Sequence, residues 1–321
     1  MSDSGTLADI GEFGLIDRIT EGLPDHPLVV VGPGDDAAVV KTESGSVVIS
    51  TDVMVEGRHF RKDWSTPIDI GRKAAAASLA DVVAMGAVPT GVVVAFAAPA
   101  DLPAAWAVSC TAGLRAEIEG VGAALIGGDV TSADAIMITV TAIGDLQGRS
   151  PVLRSGAKAG DTIAIAGRIG WAAAGLAVLS RGFRSPKKLV DAHRCPMPPY
   201  QAGPEAARGG ATAMIDVSDG LIADARHIAH ASQVVLAIDS SLIDVPDEIA
   251  AAASAYNLDP REWLLTGGDD HALLATIKKG KPVPQDFVVI GVVEPAGDKG
   301  AGVSVDGHFV TIAGGHLHFG A

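Results

Sequence analysis

Four short motifs combine aspartate with glycine, serine or threonine: Gly34-Asp35-Asp36, Ser50-Thr51-Asp52, Gly127-Gly128-Asp129 and Asp216-Val217-Ser218-Asp219. Read singly, each is an ordinary turn or helix cap. Read together they offer carboxylate and hydroxyl oxygens from several segments, the ligand set that hard divalent cations take. Two carboxylates about 5 Å apart at an effective dielectric of about 20 repel by roughly 3 kcal/mol. A converging set of four would therefore hold together only around cations, and magnesium with phosphate follows from convergence. Asp216-Val217-Ser218-Asp219-Gly220-Leu221 carries the most information. There Asp216 ends a strand, Ser218 is placed to cap, and Asp219 opens a helix whose free N–H groups and positive dipole end suit a phosphate. None of the common alternatives occurs: no G-x-x-x-x-G-K-[ST] loop, no G-x-G-x-x-G entering a helix, no His-Glu-x-x-His and no Gly-x-Ser-x-Gly.

Elements must bring these motifs together, and composition bounds what they are. At 321 residues and 48% hydrophobic, the chain predicts two domains with sizeable cores. A net charge of −14 argues against nucleic-acid or anionic-membrane partners. It does not exclude phosphate ligands, since bound cations invert the local sign. Cys110 and Cys195 stand in no metal-type spacing and read as idle thiols of a reducing cytoplasm. The N-terminus has no signal-peptide pattern. The uncharged stretch from Val82 to Ala100 is broken by Gly86, Pro89, Thr90 and Gly91, so it reads as a helix end, a turn and a buried strand, not a membrane span.

Periodicity predicts helices over Glu12–Leu23, Ile70–Met85, Ala104–Glu119, Trp171–Ser180 and Leu221–His230. Strands are expected over Leu28–Val31, Ala37–Val40, Val47–Ser50, Val92–Phe96, Ala123–Ile126 and Ile136–Ile143 in the first half. The second half adds Thr162–Ala166, Ala211–Ile215, Val234–Ile238, Leu273–Ile277 and Val288–Val293. Aspartates thus recur where strands end, Gly127-Gly128-Asp129 reading as a turn. Strands and helices intermingle without strict alternation, which predicts an α+β class. The domain boundary is expected near Ser150, giving residues 1–149 and 150–321.

With these motifs in order along nearly the whole chain, the sequence resembles the thiamine-monophosphate kinases. Their superfamily includes aminoimidazole ribonucleotide synthetase, selenophosphate synthetase and a hydrogenase maturation protein. The resemblance rests on Gly11-Glu12-Phe13-x-Leu15-Ile16, Gly34-Asp35-Asp36-Ala37-Ala38 and Ser50-Thr51-Asp52-x-x-x-Glu56-Gly57-x-His59-Phe60. It continues through Lys73-x5-Leu79-x-Asp81-x3-Met85-Gly86-Ala87-x-Pro89, Gly127-Gly128-Asp129 and Arg154-Ser155-Gly156-Ala157-x3-Gly160-Asp161. It ends on Asp216-Val217-Ser218-Asp219-Gly220-Leu221 and Gly267-Gly268-Asp269-Asp270. The resemblance implies a two-domain synthetase-like fold whose N-terminal ATP- and magnesium-binding domain pairs strands across a homodimer barrel, with a C-terminal α/β domain. It implies transfer of the ATP γ-phosphate to thiamine monophosphate, giving thiamine diphosphate and ADP. By matched position, Asp35, Thr51, Asp52, Asp81, Asp129, Asp216 and Asp219 would hold several magnesium ions, Ser50 adding a backbone oxygen. Gly128, Asp129, Arg154 and Ser218 would contact ATP, while His59, Asp269, His316 and Phe319 would surround the acceptor.

The acceptor is already an ionised phosphate monoester, so direct in-line transfer needs cation screening and no obligate base residue. Two segments depart from the family pattern. Gly267-Gly268-Asp269-Asp270-His271-Ala272-Leu273 stands where Gly-Gly-Glu-Asp-Tyr-Glu-Leu is usual, and Gly315-His316-Leu317-His318-Phe319 where Gly-[Trp/Tyr]-x-His-Phe is usual. Asp269 is one methylene shorter than glutamate, and His316 offers less apolar surface to a flat ring. The histidines other than His59 and His316 lack ligand spacing and read as surface or structural residues. Two competing readings are another ATP-using synthetase of the superfamily and a non-catalytic ATP or metabolite sensor.

Overall fold

A computed structural model describes residues 6–31, 39–42 and 44–310. The chain divides into two compact units, one of Met1–Val82 and Ala87–Arg149, the other of Val83–Gly86 and Ser150–Ala321. In the first unit the order is α1 (Leu7–Thr20), β1 (Val29–Val31), β2 (Val39–Val40), β3 (Val47–Val55), α2 (Pro67–Ala84), β4 (Val88–Ala98), α3 (Ala104–Gly120), β5 (Ala124–Ser132) and β6 (Met137–Asp145). The last two residues of α2 count with the second unit.

Helix α1 starts earlier than its apolar spacing suggests, because Thr6 and Asp9 form a reciprocal capping box. Asp9 Oδ2 accepts from the Thr6 N–H at 2.8 Å. Strands β3, β6, β4 and β5 form one sheet in that order, with β4 and β5 parallel and the β3–β6 and β6–β4 pairs antiparallel. Two sequence expectations are corrected here. Strand β3 does not stop at Ser50 but runs through Thr51-Asp52 to Val55, because β6 pairs with it along its whole length. Gly127-Gly128-Asp129 is not a turn but the interior of β5. A Cβ on Gly128 would lie 2.2 Å from the Val94 carbonyl oxygen, so glycine is needed there for close strand approach.

Alternation along β3 divides its side chains between two environments. Ser50 and Asp52 reach α2, whereas Val47, Ile49, Thr51 and Val53 stand on the other face, with Ile49 61% exposed. Helices α2 and α3 meet backbone to backbone at two glycines. A Cβ on Gly71 would fall 1.9 Å from the Cys110 carbonyl oxygen, and one on Gly113 2.1 Å from that of Ile68.

The second unit runs β7 (Thr162–Ala166), α4 (Trp171–Ser180), α5 (Lys187–Arg194), α6 (Ala202–Gly209), β8 (Ala211–Val217), α7 (Leu221–Ser232) and β9 (Val234–Ile238). It continues with α8 (Asp247–Ala255), α9 (Pro260–Thr266), β10 (Ala272–Ile277), β11 (Phe287–Pro295), β12 (Gly302–Val305) and β13 (His308–Phe309). Its sheet has the order β13-β12-β9-β11-β7-β10-β8, antiparallel except for the parallel β12–β9 pair. Every side chain of β10 is buried. Met214, Leu273, Ala275, Ile277, Phe287 and the alanines of α6 fill one core beside Val83 and Ala84. The mixed α/β organisation with two main sheets agrees with the class expected from sequence. Helices α5, α6, α8 and α9 were not anticipated.

Gly113→Ala is expected to destabilise the protein by about 1–3 kcal/mol, because a backbone carbonyl cannot rotate away from the new methyl as a side chain could. Chemical denaturation monitored by circular dichroism measures this. Gly120, whose Cβ position meets nothing within 4 Å among the described residues, is the control and should tolerate Ala without loss.

Candidate functional site

In the first unit, β3 and α2 are stitched by two crossed serine–aspartate pairs. The Ser50 hydroxyl donates to Asp81 Oδ2 at 2.5 Å, and the Ser78 hydroxyl lies 2.8 Å from Asp52 Oδ2. Residues 50 and 52 share one strand face, and 78 and 81 one helix face, so a single packing contact aligns both pairs. Ser78 is fully buried and also lies 2.9 Å from the Val140 carbonyl oxygen. Its one proton is held more strongly by an ionised carboxylate than by a neutral carbonyl. Ser78 thus fixes the orientation of Asp52, a role the sequence did not reveal, since a lone helical serine carries no distinguishing signal.

Thr51 and Asp129 lie elsewhere. The Thr51 hydroxyl pairs with that of Thr141 at 2.9 Å on the opposite sheet face. By register Asp129 stands beside Ala95, which pairs with Thr139, which pairs with Val53, so it shares that face and is exposed. The first-unit candidates therefore form two subsets, Ser50–Asp52–Asp81 against α2 and Thr51–Asp129 on the other side. His59 follows β3, and its Nδ1 accepts from the Val55 N–H at 3.0 Å, which puts the proton of the neutral ring on Nε2. Asp35, His316 and Phe319 lie outside the described residues. Among the described residues, no three His, Cys, Asp or Glu side chains form a ready-made metal cage.

In the second unit, topology gathers three loops at one sheet end. Strand β10 is antiparallel to both β7 and β8, so its start lies beside their C-terminal ends. There the segments 167–170, 218–220 and 267–271 meet. The Asp269 N–H donates to the Ser218 carbonyl at 2.8 Å and the His271 N–H to that of Val217 at 3.1 Å. A Cβ on Gly268 would fall 2.2 Å from the Ser218 oxygen, so the two loops interlock through backbone. Asp269 and His271 both hold left-handed backbone, at φ of 71° and 53°. Asp and His are among the side chains that tolerate this region best.

Four carboxyls cluster around these loops. Asp216 is buried, and its Oδ2 lies 3.2 Å from His271 Nδ1. Asp224, one turn into α7, accepts from the N–H groups of Asp219 and Gly220 at 3.0 and 3.1 Å. Burial first, and the charge of Asp216 second, push the Asp224 carboxyl up to about 7, against the pull of those two N–H donors. Asp270 Oδ1 caps α4 by accepting from the Ala172 N–H at 3.0 Å, while its buried Oδ2 has no hydrogen-bond partner among the described residues. Asp219 is half-buried beside Ser218. Arg154 is exposed in a short 3₁₀ turn. His227 is held below its usual value by burial and then by the Arg154 charge, with Asp219 acting against both. Arg154 and Asp219 thus share one electrostatic neighbourhood. His271, expected to be a surface or structural residue, is buried beside a candidate ligand. Its position in a segment that departs from pattern was the available signal. Cys110 fits the idle-thiol reading, since burial pushes its thiol up to about 12.

The sequence signature of the AIR synthase related protein, N-terminal domain, matches residues 34–146. The particular family follows from longer matches. The thiamine-monophosphate kinase of Mycobacterium tuberculosis (strain ATCC 25618 / H37Rv) is 48% identical over 320 residues, covering 99% of this chain and 95% of that one. A solved AaThiL complexed with AMPPCP and TMP superposes with a TM-score of 0.80 at 32% identity, over 99% of this chain and 100% of that one. The crystal structure of thiamine monophosphate kinase from Aquifex aeolicus gives 0.77 at 30% identity, over 95% and 99%. The chain belongs to the thiamine-monophosphate kinase family. It is accordingly an enzyme of the kinase class.

Burial, the largest cause, lifts the Asp270 carboxyl from 3.8 to about 7. A carboxyl that binds its proton more tightly when folded takes up a proton on folding between those two values. Its contribution to stability is therefore lost as pH rises from about 4 to about 7. Asp270→Asn keeps an acceptor for the Ala172 N–H and cannot ionise. The melting temperature of the variant relative to the unmodified protein should be clearly more favourable at pH 8 than at pH 5. An offset independent of pH would show that Asp270 does not titrate in this window.

Proposed function

We propose that this chain transfers the γ-phosphate of ATP directly to thiamine monophosphate, giving thiamine diphosphate and ADP. One observation carries the reading: near full-length likeness to a family whose solved member is complexed with AMPPCP and TMP. AMPPCP is ATP with a methylene between its last two phosphorus atoms, and TMP in such an enzyme is read as the thiamine monoester. Among the described residues no helix is long and apolar enough to cross a membrane. A cytoplasmic location, where ATP is supplied, completes the proposal.

The donor chemistry fits magnesium. Asp52, Asp81, Asp129, Asp216 and Asp219 offer hard oxygens, with Thr51 and a Ser50 backbone oxygen, and Asp35 joins them as a proposed ligand. When bound, magnesium supplies charge screening between the phosphates of donor and acceptor. The chain's own part is to bind and orient. Gly128, Asp129, Arg154 and Ser218 would hold ATP. His59, Asp269, His316 and Phe319 would hold the acceptor, His59 donating through Nε2. An ionised monoester is already a nucleophile, so no residue need act as an obligate base.

The homodimer belongs to the same proposal. Val47, Ile49, Val53 and Met137 are exposed apolar side chains on the face of the first unit's sheet that lies away from α2. A second copy of that face would cover them, as the barrel pairing of the N-terminal domains requires. Ile49→Glu should then shift the protein from dimer to monomer in sedimentation velocity. A monomeric unmodified protein would refute the pairing.

Incubation with ATP, magnesium and thiamine monophosphate should yield thiamine diphosphate and ADP in equal amounts. Asp129→Asn and Asp216→Asn should each lower turnover by about a hundredfold or more, with circular dichroism unchanged. ATP binding without turnover would favour a sensor, and ATP use with a different acceptor a synthetase. Near-normal rates in both variants would defeat the metal-ligand assignment.

A further inference from the structure

His271 is 6% exposed in a loop tied at both ends. Its N–H is fixed on the Val217 carbonyl, and the neighbouring Asp270 side chain is fixed on the first turn of α4. The ring has little freedom, and its Nδ1 lies 3.2 Å from Oδ2 of the equally buried Asp216. With Asp216 read as an ionised magnesium ligand, which can only accept, Nδ1 carries the proton and donates. One fixed donor therefore holds the Asp216 carboxylate in place.

We propose that His271 is a positioning residue for Asp216, occupying Oδ2 so that Oδ1 is the oxygen offered to a magnesium ion. The inference rests on the reading of Asp216 as a magnesium ligand. A donor behind a ligating group fixes its direction, and removing such a partner typically weakens metal affinity by about 10–100-fold.

Calorimetric titration of magnesium into the full-length protein saturated with AMPPCP tests the proposal without turnover. His271→Phe keeps a ring of similar size and removes the donor, and should weaken magnesium binding by about tenfold or more. His271→Asn keeps an N–H donor and tolerates left-handed backbone, and should bind within about threefold of the unmodified protein. In an Asp216→Asn background, His271→Phe should have no further effect on magnesium affinity. Equal weakening by Phe and Asn, or an undiminished Phe effect without Asp216, would reduce His271 to a packing role and overturn the proposal. If Asp216→Asn alone leaves magnesium affinity unchanged, the ligand reading falls instead, which separates the two failures. Should the Phe variant not fold, ¹⁵N spectra of the imidazoles in the unmodified protein decide. A proton on Nδ1 of His271 supports the proposal, and one on Nε2 alone contradicts it.

Discussion

The close seating of α2 on β3 is the constraint on which the first unit's chemistry depends. Two carboxylates sit on one narrow seam, and each is held by a serine from the opposite element, Ser50 for Asp81 and Ser78 for Asp52. The seam is tight because α2 is pressed by α3 at Gly71 and Gly113, where no Cβ could be admitted. Backbone packing, serine donors and carboxylate direction form one chain of cause. A helix that drifted outward by one ångström would release both aspartates together.

The second unit handles its acids differently. Strand direction gathers three loops, and backbone bonds between Val217–Ser218 and Asp269–His271 close them into one body. Within it Asp216 is held by a histidine, Asp224 by two loop N–H groups and Asp270 by a helix N-terminus. Asp224 and Asp270 are buried deeply enough to sit near 7, so they serve the loop as acceptors more than as charges. Asp216 keeps a dedicated donor, as suits a carboxylate proposed to stay ionised for a cation. In both units a candidate ligand is directed by a side chain from another segment, Asp52 by Ser78 and Asp216 by His271.

Much of the framework was legible in the sequence, and the failures have physical reasons. Thr162–Ala166, Trp171–Ser180 and Val234–Ile238 were read to the residue, since each is a dense apolar run with clear ends. Helices α5, α6, α8 and α9 were missed because they are short, and three of them begin at or just after a proline, which locally reads as a break. Asp52 and Asp129 were read as lying after strands, whereas both lie inside them. Glycine and aspartate disfavour strands intrinsically, and only pairing with β6 and β4 overrides that preference. The candidate ligands were recognisable as residue types, but their orienting partners were not. Ser78 and His271 act through tertiary contacts across 26 and 55 residues of sequence, which no local pattern records.

Direct transfer between two anions is the centre of the proposed function, and the configuration at phosphorus reports on it. ATP made chiral at the γ-phosphorus with oxygen isotopes, incubated with magnesium and thiamine monophosphate, should give thiamine diphosphate with that configuration inverted. Inversion is the outcome of one in-line displacement with no covalent relay. Retention would reveal a phosphorylated enzyme residue, and absence of label in thiamine diphosphate would remove thiamine monophosphate as the acceptor. Either result would contradict the proposal.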